Sequence, residues 1–357
     1  MVLTFLDNYI TTTKIMTFPT FPKDCNSMLC KHLTSEVFEA LKEKITVNGF
    51  TLKQAINSGV ENIDSGIGVY AGDAETYDTF ALLFDKIIED YHGFSETDEH
   101  HSNLNANDLN IKELDDNYIL STRIRVGRNV KDVPLGTIIS KEQRDEVESL
   151  VSTALTSLDG ELVGTYFPLH GMSKEVQDSL IKEHFLFKEG DRFLEAAGLN
   201  RDWSEGRGIY HNHDKTFLVW INEEDQLRII SMQKGGDVLE VFTRLVKAIK
   251  SIEKKVAFAY SERLGYISSC PTNLGTAMRA SVHIKLPNLG EDREAFKAIT
   301  DKYHLQIRGI NGEHSESKEG IYDISNRRRL GVTEVEAVQD MIDGVAMLIE
   351  AEKALEA

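Results

Sequence analysis

Apolar positions in the first hundred residues recur at spacings of three and four. In DAETYDTFALLFDKIIEDYHG, the residues Tyr77, Phe80, Phe84, Ile87 and Tyr91 fall on one helical face. Asp73 is placed to cap that helix and Gly93 to end it. TSEVFEALKEKI (34–45) opens with a Thr/Ser cap and carries the same period. Between 94 and 117 the period fades into a polar, Asn- and Asp-rich stretch. Beyond it the texture becomes strand-like. YILSTRIRVGRNV (118–130), FLVWI (217–221), LRIISM (227–232), ASVHIKL (280–286) and LQIRGI (305–310) alternate or run apolar. Helical patterns separate them: KEQRDEVESLVSTALTSL, SKEVQDSLIKEHFLF, GDVLEVFTRLVKAIKSIEKKV, EDREAFKAITDKYH and, last, TEVEAVQDMIDGVAMLIEAEKALEA. The pattern predicts an α+β chain: a small all-α N-terminal domain (1–100), a linker (101–117) and a larger domain (118–357) with an antiparallel β-sheet flanked by helices. The runs 217–221 and 227–232 read as a hairpin.

The strands carry a second pattern. Alternate side chains of a strand point to opposite faces. Ser121, Arg123 and Arg125 share one face against Thr122, Ile124 and Val126. Arg279, Ser281, His283 and Lys285 share one face against Val282, Ile284 and Leu286. Arg228 faces away from Leu227 and Ile229, and Arg308 from Ile307. Single charges on a strand mostly face water. Four strands that choose arginine are different, because a planar, permanently charged fork suits phosphate and repels its own kind without a polyanion. No GxxxxGK[ST] or GxGxxG precedes a helix, so neither a P-loop nor a dinucleotide fingerprint explains them.

Composition narrows the partners. Net charge is −18 over 357 residues. A nucleic-acid surface is excluded, since that needs a broad basic face; an anionic ligand must be held by arginines gathered locally. No run reaches the length of a membrane span. The N-terminus fits neither a secretory signal nor an Arg-rich transit peptide, so the cytoplasm is the expected compartment. Three cysteines, Cys25, Cys30 and Cys270, make a disulfide framework unexpected, and Cys25 and Cys30 lack metal-ligand spacing. INEEDQLR (221–228) sets Glu223, Glu224 and Asp225 in a tight turn. GINGEHSESKEGIYD (309–323) is a polar loop with Glu313, of a length often used for lids.

CPTNLGT (270–276), STRIRVGR (121–128), WINEEDQLR (220–228) and GIYDISNRRRLG (320–331) together resemble the phosphagen (guanidino) kinases, and the resemblance covers nearly the whole chain. SGVENIDSGIGVY (58–70) and GEHSE (312–316) are similar to the arginine kinases among them. The resemblance implies reversible transfer of the γ-phosphoryl of MgATP to a guanidine, with L-arginine first and taurocyamine or lombricine as alternatives. It assigns Arg123, Arg125, Arg228, Arg279 and Arg308 to phosphate binding. Ser121, His184, Ser281, His283 and Asp323 go with the nucleotide. Glu224 and Glu313 grip the guanidinium, and Cys270 is the reactive cysteine. Gly66, Ile67, Gly68 and Tyr70 form the loop for the substrate's carboxylate end, and Asp64 with Arg192 links the domains. Mg²⁺ comes with ATP or ADP and has no direct protein ligand.

A guanidinium must lose a proton as it attacks, so Glu224 is the first candidate base and Glu313 the second. Cys270 precedes a proline and an expected helix start at Thr272–Asn273, a setting that lowers a thiol and favours a thiolate. The short loop after GVEN and the presence of Glu313 favour arginine over creatine. FPTFPKDCNSM, NGFTL and GLNRDW are more similar to creatine kinases, leaving monomer and homodimer both open. Gln226 replaces the family's usual His and Asn311 a frequent Arg, with modest effects expected. A protein-arginine kinase and a non-catalytic ATP-binding relative are the competing readings. The SGIGVY loop opposes the first, and the presence of Glu224, Cys270 and all five arginines opposes the second.

Overall fold

The computed structural model describes residues 16–309 and 320–356. Five short helices come first: α1 (Met28–His32), α2 (Ser35–Leu41), α3 (Leu52–Glu61), α4 (Thr76–Thr79) and α5 (Ala81–His92). The periodic stretch around Phe80 splits into α4 and α5. Asp73 accepts the Thr76 N–H at 2.9 Å, ahead of α4, and Gly93 closes α5 with φ 66°, a left-handed conformation that glycine adopts without penalty. α3 carries a reciprocal capping box between Thr51 and Gln54.

The remaining elements are β1 (Ile119–Arg128), α6 (Lys141–Leu155), β2 (Gly164–Pro168), α7 (Lys174–Lys182), α8 (Arg192–Ala196), β3 (Gly208–Asn212), β4 (Phe217–Ile221), β5 (Leu227–Lys234), α9 (Val238–Glu253), β6 (Tyr260–Ser261), β7 (Gly265–Tyr266), β8 (Met278–Lys285), α10 (Arg293–Lys302), β9 (Leu305–Arg308), β10 (Ile321–Asn326) and α11 (Glu334–Glu356). Eight of the strands form one antiparallel sheet in the order β2-β3-β4-β5-β1-β8-β10-β9. The β4–β5 hairpin is as the alternation predicts. The pattern gave no sign of β2, β3 and β10: GTYFP, GIYHN and IYDISN mix polar residues and glycine into runs too short to show a period.

One face of the sheet is closed by α9 and α11. Ile124, Val126, Ile229, Val282, Ile284 and Ile324 pack there against Val241, Phe242, Leu245 and Ile249 of α9 and Met341, Ile342 and Val345 of α11. Burying each large side chain contributes about 1.5–3 kcal/mol, which leaves the opposite face free to carry charge. The polar stretch after α5 is no loose tether: Leu109 and Leu114 are buried in this core, and the Glu334 carboxylate accepts from Ser102 Oγ and the Asn103 N–H, both at 2.9 Å.

The helical domain has its own core around Phe38, Phe50, Phe80 and Phe84, and residues of the sheet domain complete it. Leu264, Ile267, Cys270, Leu274 and Leu330 all pack into it. Cys25 and Cys30 are joined by a disulfide, contrary to the expectation from composition. The pair closes a ring within one turn, a local staple that a count of three cysteines does not reveal.

Candidate functional site

The face opposite α9 and α11 brings the predicted arginines together. The register sets Arg125 beside Arg279, Arg123 beside Ser281, and Ser121 beside His283. Gly127 lies beside Arg228, while Asp323 lies between His283 and Arg308. Residues directly opposite in an antiparallel pair share a face, so all five arginines project from one side of the sheet.

The cations are close enough to oppose one another. Burial first, then Arg228 and Arg279, push the Arg123 guanidinium down to about 10. The same causes push Arg125 well below its ordinary value. Arg123 Nε and Nη2 and Arg279 Nε are buried without a protein partner among the described residues. Arg279 Nη2 donates to Asp323 at 2.9 Å, so Asp323 holds an arginine in place on this face. Burial lowers His283, partly offset by Asp323, and His184 is near enough to add to the lowering. The guanidinium groups of Arg123 and Arg228 lie 5.6 and 5.3 Å from the Trp220 ring.

Glu224 stands at the border of this field, in the β4–β5 turn. Asn222 adopts φ 57°, which asparagine tolerates better than most residues. Its amide ties the turn to the carbonyls of Arg144 and Gly206 at 3.2 and 2.7 Å. Asp225 points inward and accepts from Asn129 Nδ2 at 2.8 Å, Ser268 Oγ at 2.8 Å and the Ser269 N–H at 3.0 Å. Gln226 accepts from the Val130 N–H at 2.7 Å and donates to the Pro134 carbonyl at 2.9 Å. With its neighbours so pinned, Glu224 accepts from Arg228 Nη2 at 3.0 Å and lies 3.5 Å from Asn273 Nδ2. Arg228 also pairs with Glu223 at 2.8 Å. Burial opposes the Arg228 charge, but Glu223, Glu224 and Asp225 outweigh it and raise that guanidinium. Burial pushes Glu224 up to about 7, against the pull of Arg228.

The CPTNLGT segment faces Glu224. Pro271–Asn273 form a single 3-10 turn, too short for the helix start expected there. Thr272 Oγ1 lies 3.1 Å from Cys270 Sγ. The expected low thiol is not observed: burial and the Glu224 charge push Cys270 up to about 12. Arg329 Nη1 donates to the Thr272 carbonyl at 2.9 Å and to Asn273 Oδ1 at 2.5 Å, turning the Asn273 amide nitrogen toward Glu224. The helical domain holds the segment from behind. Tyr77 OH donates to the Ser268 carbonyl at 2.7 Å, the Ala71 N–H donates to the Ser269 carbonyl at 2.7 Å, and His92 Nε2 lies 2.9 Å from the Pro271 carbonyl.

The loop assigned to the substrate's carboxylate end adjoins the same segment. Met28 and Leu29 donate to the Gly66 and Ile67 carbonyls at 3.0 and 3.1 Å, and Tyr70 N–H donates to Ala55. Gly68 has φ 80°, and a Cβ there would meet Leu29 at 2.8 Å, so glycine is required. Asp64 and Arg192 form a two-pronged ion pair, one prong at 2.8 Å. Arg308 is in place on β9, where it donates to Gln306 at 3.1 Å. Glu313 and Asn311 lie outside the described residues.

Sequence reasoning missed four supports of this site. Asp225 looked like one of three equivalent acids, and nothing in Glu-Glu-Asp says which points inward. Arg329 was one of three consecutive arginines. Gln226 shows in the sequence only as a departure from the family's usual His. Trp220 did leave a signal, since the alternation of FLVWI puts it on the Arg228 face.

Comparison with known proteins agrees with this geometry. The model of the ATP:guanido phosphotransferase C-terminal catalytic domain matches residues 146–355, and that of the N-terminal domain matches residues 23–89. Arginine kinase of Penaeus monodon is 56% identical over 336 residues, 93% of this chain and 94% of that protein. Arginine kinase of Callinectes sapidus is 56% identical over 337 residues with the same coverage. The crystal structure of lombricine kinase superposes with a TM-score of 0.90 at 40% identity, covering 95% of each chain. The duplicated taurocyamine kinase from Schistosoma mansoni gives 0.86 at 44% identity over 92% of this chain and 47% of that one. With both family models in register and the arginine face assembled, the chain belongs to the ATP:guanido phosphotransferase family, the phosphagen kinases.

Proposed function

We propose that the protein transfers the γ-phosphoryl of ATP reversibly to L-arginine, giving phosphoarginine and ADP, with Glu224 as the base. The observation that carries this reading is a carboxylate that the β4–β5 turn fixes 3.0 Å from Arg228, beside five arginines on one sheet face, with burial pushing it above its usual range. A general base works best when its proton affinity matches the working pH. Identity of 56% to arginine kinases, against 40% and 44% to the lombricine and taurocyamine enzymes, favours arginine as acceptor.

The phosphate chain lies across Arg123, Arg125, Arg228, Arg279 and Arg308. The unpartnered nitrogens of Arg123 and Arg279 suit phosphate oxygens, and bound phosphate removes the mutual repulsion. Ser121, Ser281, His283 and His184 border the nucleotide. Among the described residues no group of three or more His, Cys, Asp or Glu side chains can hold a metal ion. Mg²⁺ would enter as a companion of the phosphates held by the arginines, where it would supply charge neutralisation when bound.

The acceptor guanidinium sits against Glu224, its far end at Gly66–Tyr70. Its charge draws Glu224 into the ionised form. Glu224 then orients the attacking nitrogen and takes its proton as the N–P bond forms. Cys270, a neutral thiol in the ligand-free site, lies where the same cation also favours its thiolate, as a partner for alignment and not as a covalent nucleophile. Glu313 is the second carboxylate of the proposed grip. Most of the acceleration comes from holding the two reactants in line, an effect worth about 7–11 kcal/mol in favourable cases.

The test is ADP release from MgATP with L-arginine, taurocyamine, lombricine, creatine and glycocyamine as acceptors. Turnover with arginine far above the others is the expected result. Preference for another guanidine keeps the chemistry and overturns the substrate. No turnover with any of the five overturns the reading.

A further inference from the structure

The turn that carries the Cys25–Cys30 disulfide is also the turn that holds the substrate loop. We propose that this cysteine pair is a redox-modification site that sets how firmly the loop 63–70, and through it the guanidine substrate, is held. The loop's part in binding rests on the function proposed above.

Both cysteines are half-buried, within reach of small reagents. Their bridge spans the N-terminus of α1, a helix of five residues, too short to be stable alone. Ser27 lies inside the ring and is buried. Its Oγ accepts from the Cys30 N–H at 3.1 Å and donates to Cys30 Sγ at 3.1 Å. The first-turn amides of a helix have no partner within it. Here those of Met28 and Leu29 are spent on the carbonyls of Gly66 and Ile67. Cys25 Sγ lies 3.6 Å from the Ile63 carbonyl oxygen, and the Leu29 side chain fills the space over Gly68. One bridged turn thus meets the loop at 63, 66, 67 and 68, and the phosphoryl-transfer chemistry uses neither sulfur. Opening a ring this small frees little chain entropy for the whole fold. The effect is confined to α1 and the loop it holds.

The chemistry balances against a small-molecule disulfide. One thiolate attacks the external disulfide and releases one thiolate from it; the second cysteine attacks the mixed disulfide, forms the Cys25–Cys30 bond and releases the other. Two protons and two electrons leave the protein and reduce one external disulfide to two thiols. An excess of reduced thiol reverses both steps.

The experiment compares the full-length protein equilibrated with oxidised glutathione and with excess dithiothreitol, the state of each cysteine being read by alkylation and mass spectrometry. Reduction is expected to raise the KM for arginine severalfold, leaving kcat and the KM for ATP within about twofold, less than a tenfold change or 1.4 kcal/mol. Hydrogen exchange at Met28, Leu29 and 63–70 is expected to accelerate. The Cys25→Ser/Cys30→Ser double variant is expected to match the reduced protein in both media. Equal exchange in the two redox states overturns the proposal, whatever the substrate proves to be. Altered exchange with an unchanged KM for the preferred guanidine overturns the link to binding. A double variant that still responds to glutathione moves the effect to Cys270 and also overturns it.

Discussion

The two halves of one sheet face have opposite fates. On β3, β4 and β5, Ile209, Leu218, Trp220 and Ile230 are covered by Leu186 and Phe187, with Trp203 against them. On β1, β8, β10 and β9, the corresponding positions are Arg123, Arg125, Ser281, His283, Asp323 and Arg308. The strands pair continuously from β3 to β9, with one register shift in β1 between Ile119 and Ser121. What changes is the cover, and the site lies where the cover stops. Trp220 marks the border: it is buried, donates from Nε1 to the Phe185 carbonyl at 2.7 Å, and presents its ring to Arg123 and Arg228. The difference teaches that a cationic field needs an apolar wall, because a flat ring bordering guanidinium groups fixes them without taking up their hydrogen bonds.

Removing that border should have the largest effect. Trp220→Ala empties a buried indole and is expected to cost about 3–5 kcal/mol of stability, read as a shift in the denaturant midpoint. ADP affinity should fall as well, as Arg123 and Arg228 lose their backing. Lost stability with unchanged ADP affinity would show that the two halves are independent.

A second contrast lies within the border turn. Glu224 and Asp225 are sequence neighbours, yet Asp225 has three donors from Asn129, Ser268 and Ser269, while Glu224 keeps an oxygen toward the site. Glu224→Gln is expected to lower turnover by about 100-fold or more, with ADP affinity close to that of the unaltered protein. Steady-state rates beside an ADP titration measure both. Near-normal turnover would remove Glu224 from the reaction.

Where a residue's role follows from period and type, the sequence was readable. The apolar face of β1 and the arginines opposite it follow from alternation alone. The family resemblance added Cys270, the loop at Gly66–Tyr70 and the Asp64–Arg192 pair, none of which a period could supply. Roles that depend on which way a turn rolls were hidden. Glu223, Glu224 and Asp225 are chemically alike until Asn222 and Asn129 orient them. The short strands β2, β3 and β10 borrow their stability from neighbours and show no period of their own. The Cys270 expectation failed for a related reason: a helix-end argument needs the helix, and this segment makes one 3-10 turn in a buried place beside a carboxylate.

Arg329 allows a smaller test of the same border. It sits behind Asn273 and turns that amide toward Glu224, so its proposed role is that of a positioning residue. Arg329→Ala is expected to lower kcat about tenfold, equivalent to 1.4 kcal/mol, with the KM for ATP little changed. Arg329→Lys should recover part of the loss. A fall in thermal stability with kcat intact would make Arg329 structural only.

The smallest effect is a stability change with pH, and its sign is fixed by the direction of the Glu224 shift. Raised from an ordinary 4.5 to about 7, this carboxyl keeps its proton in the folded chain at pH values where the unfolded chain has lost it. The folded state therefore binds more protons between those limits, and stability falls as pH rises through that window. Buried His92 and His100, both lowered to about 4, act oppositely: the unfolded chain binds more protons, and stability rises with pH from 4 to 6.5. Glu224→Gln removes the first contribution and leaves the second. The ligand-free variant should thus be more stable than the unaltered protein at pH 8, and equal to it below pH 4.5. Thermal melts at pH 4.5, 6 and 8 check this. A variant that melts lower at pH 8 would mean that the Arg228 pair stabilises the ionised Glu224 outright. A bound guanidinium should reduce the difference by supplying the charge that the ligand-free carboxylate lacks.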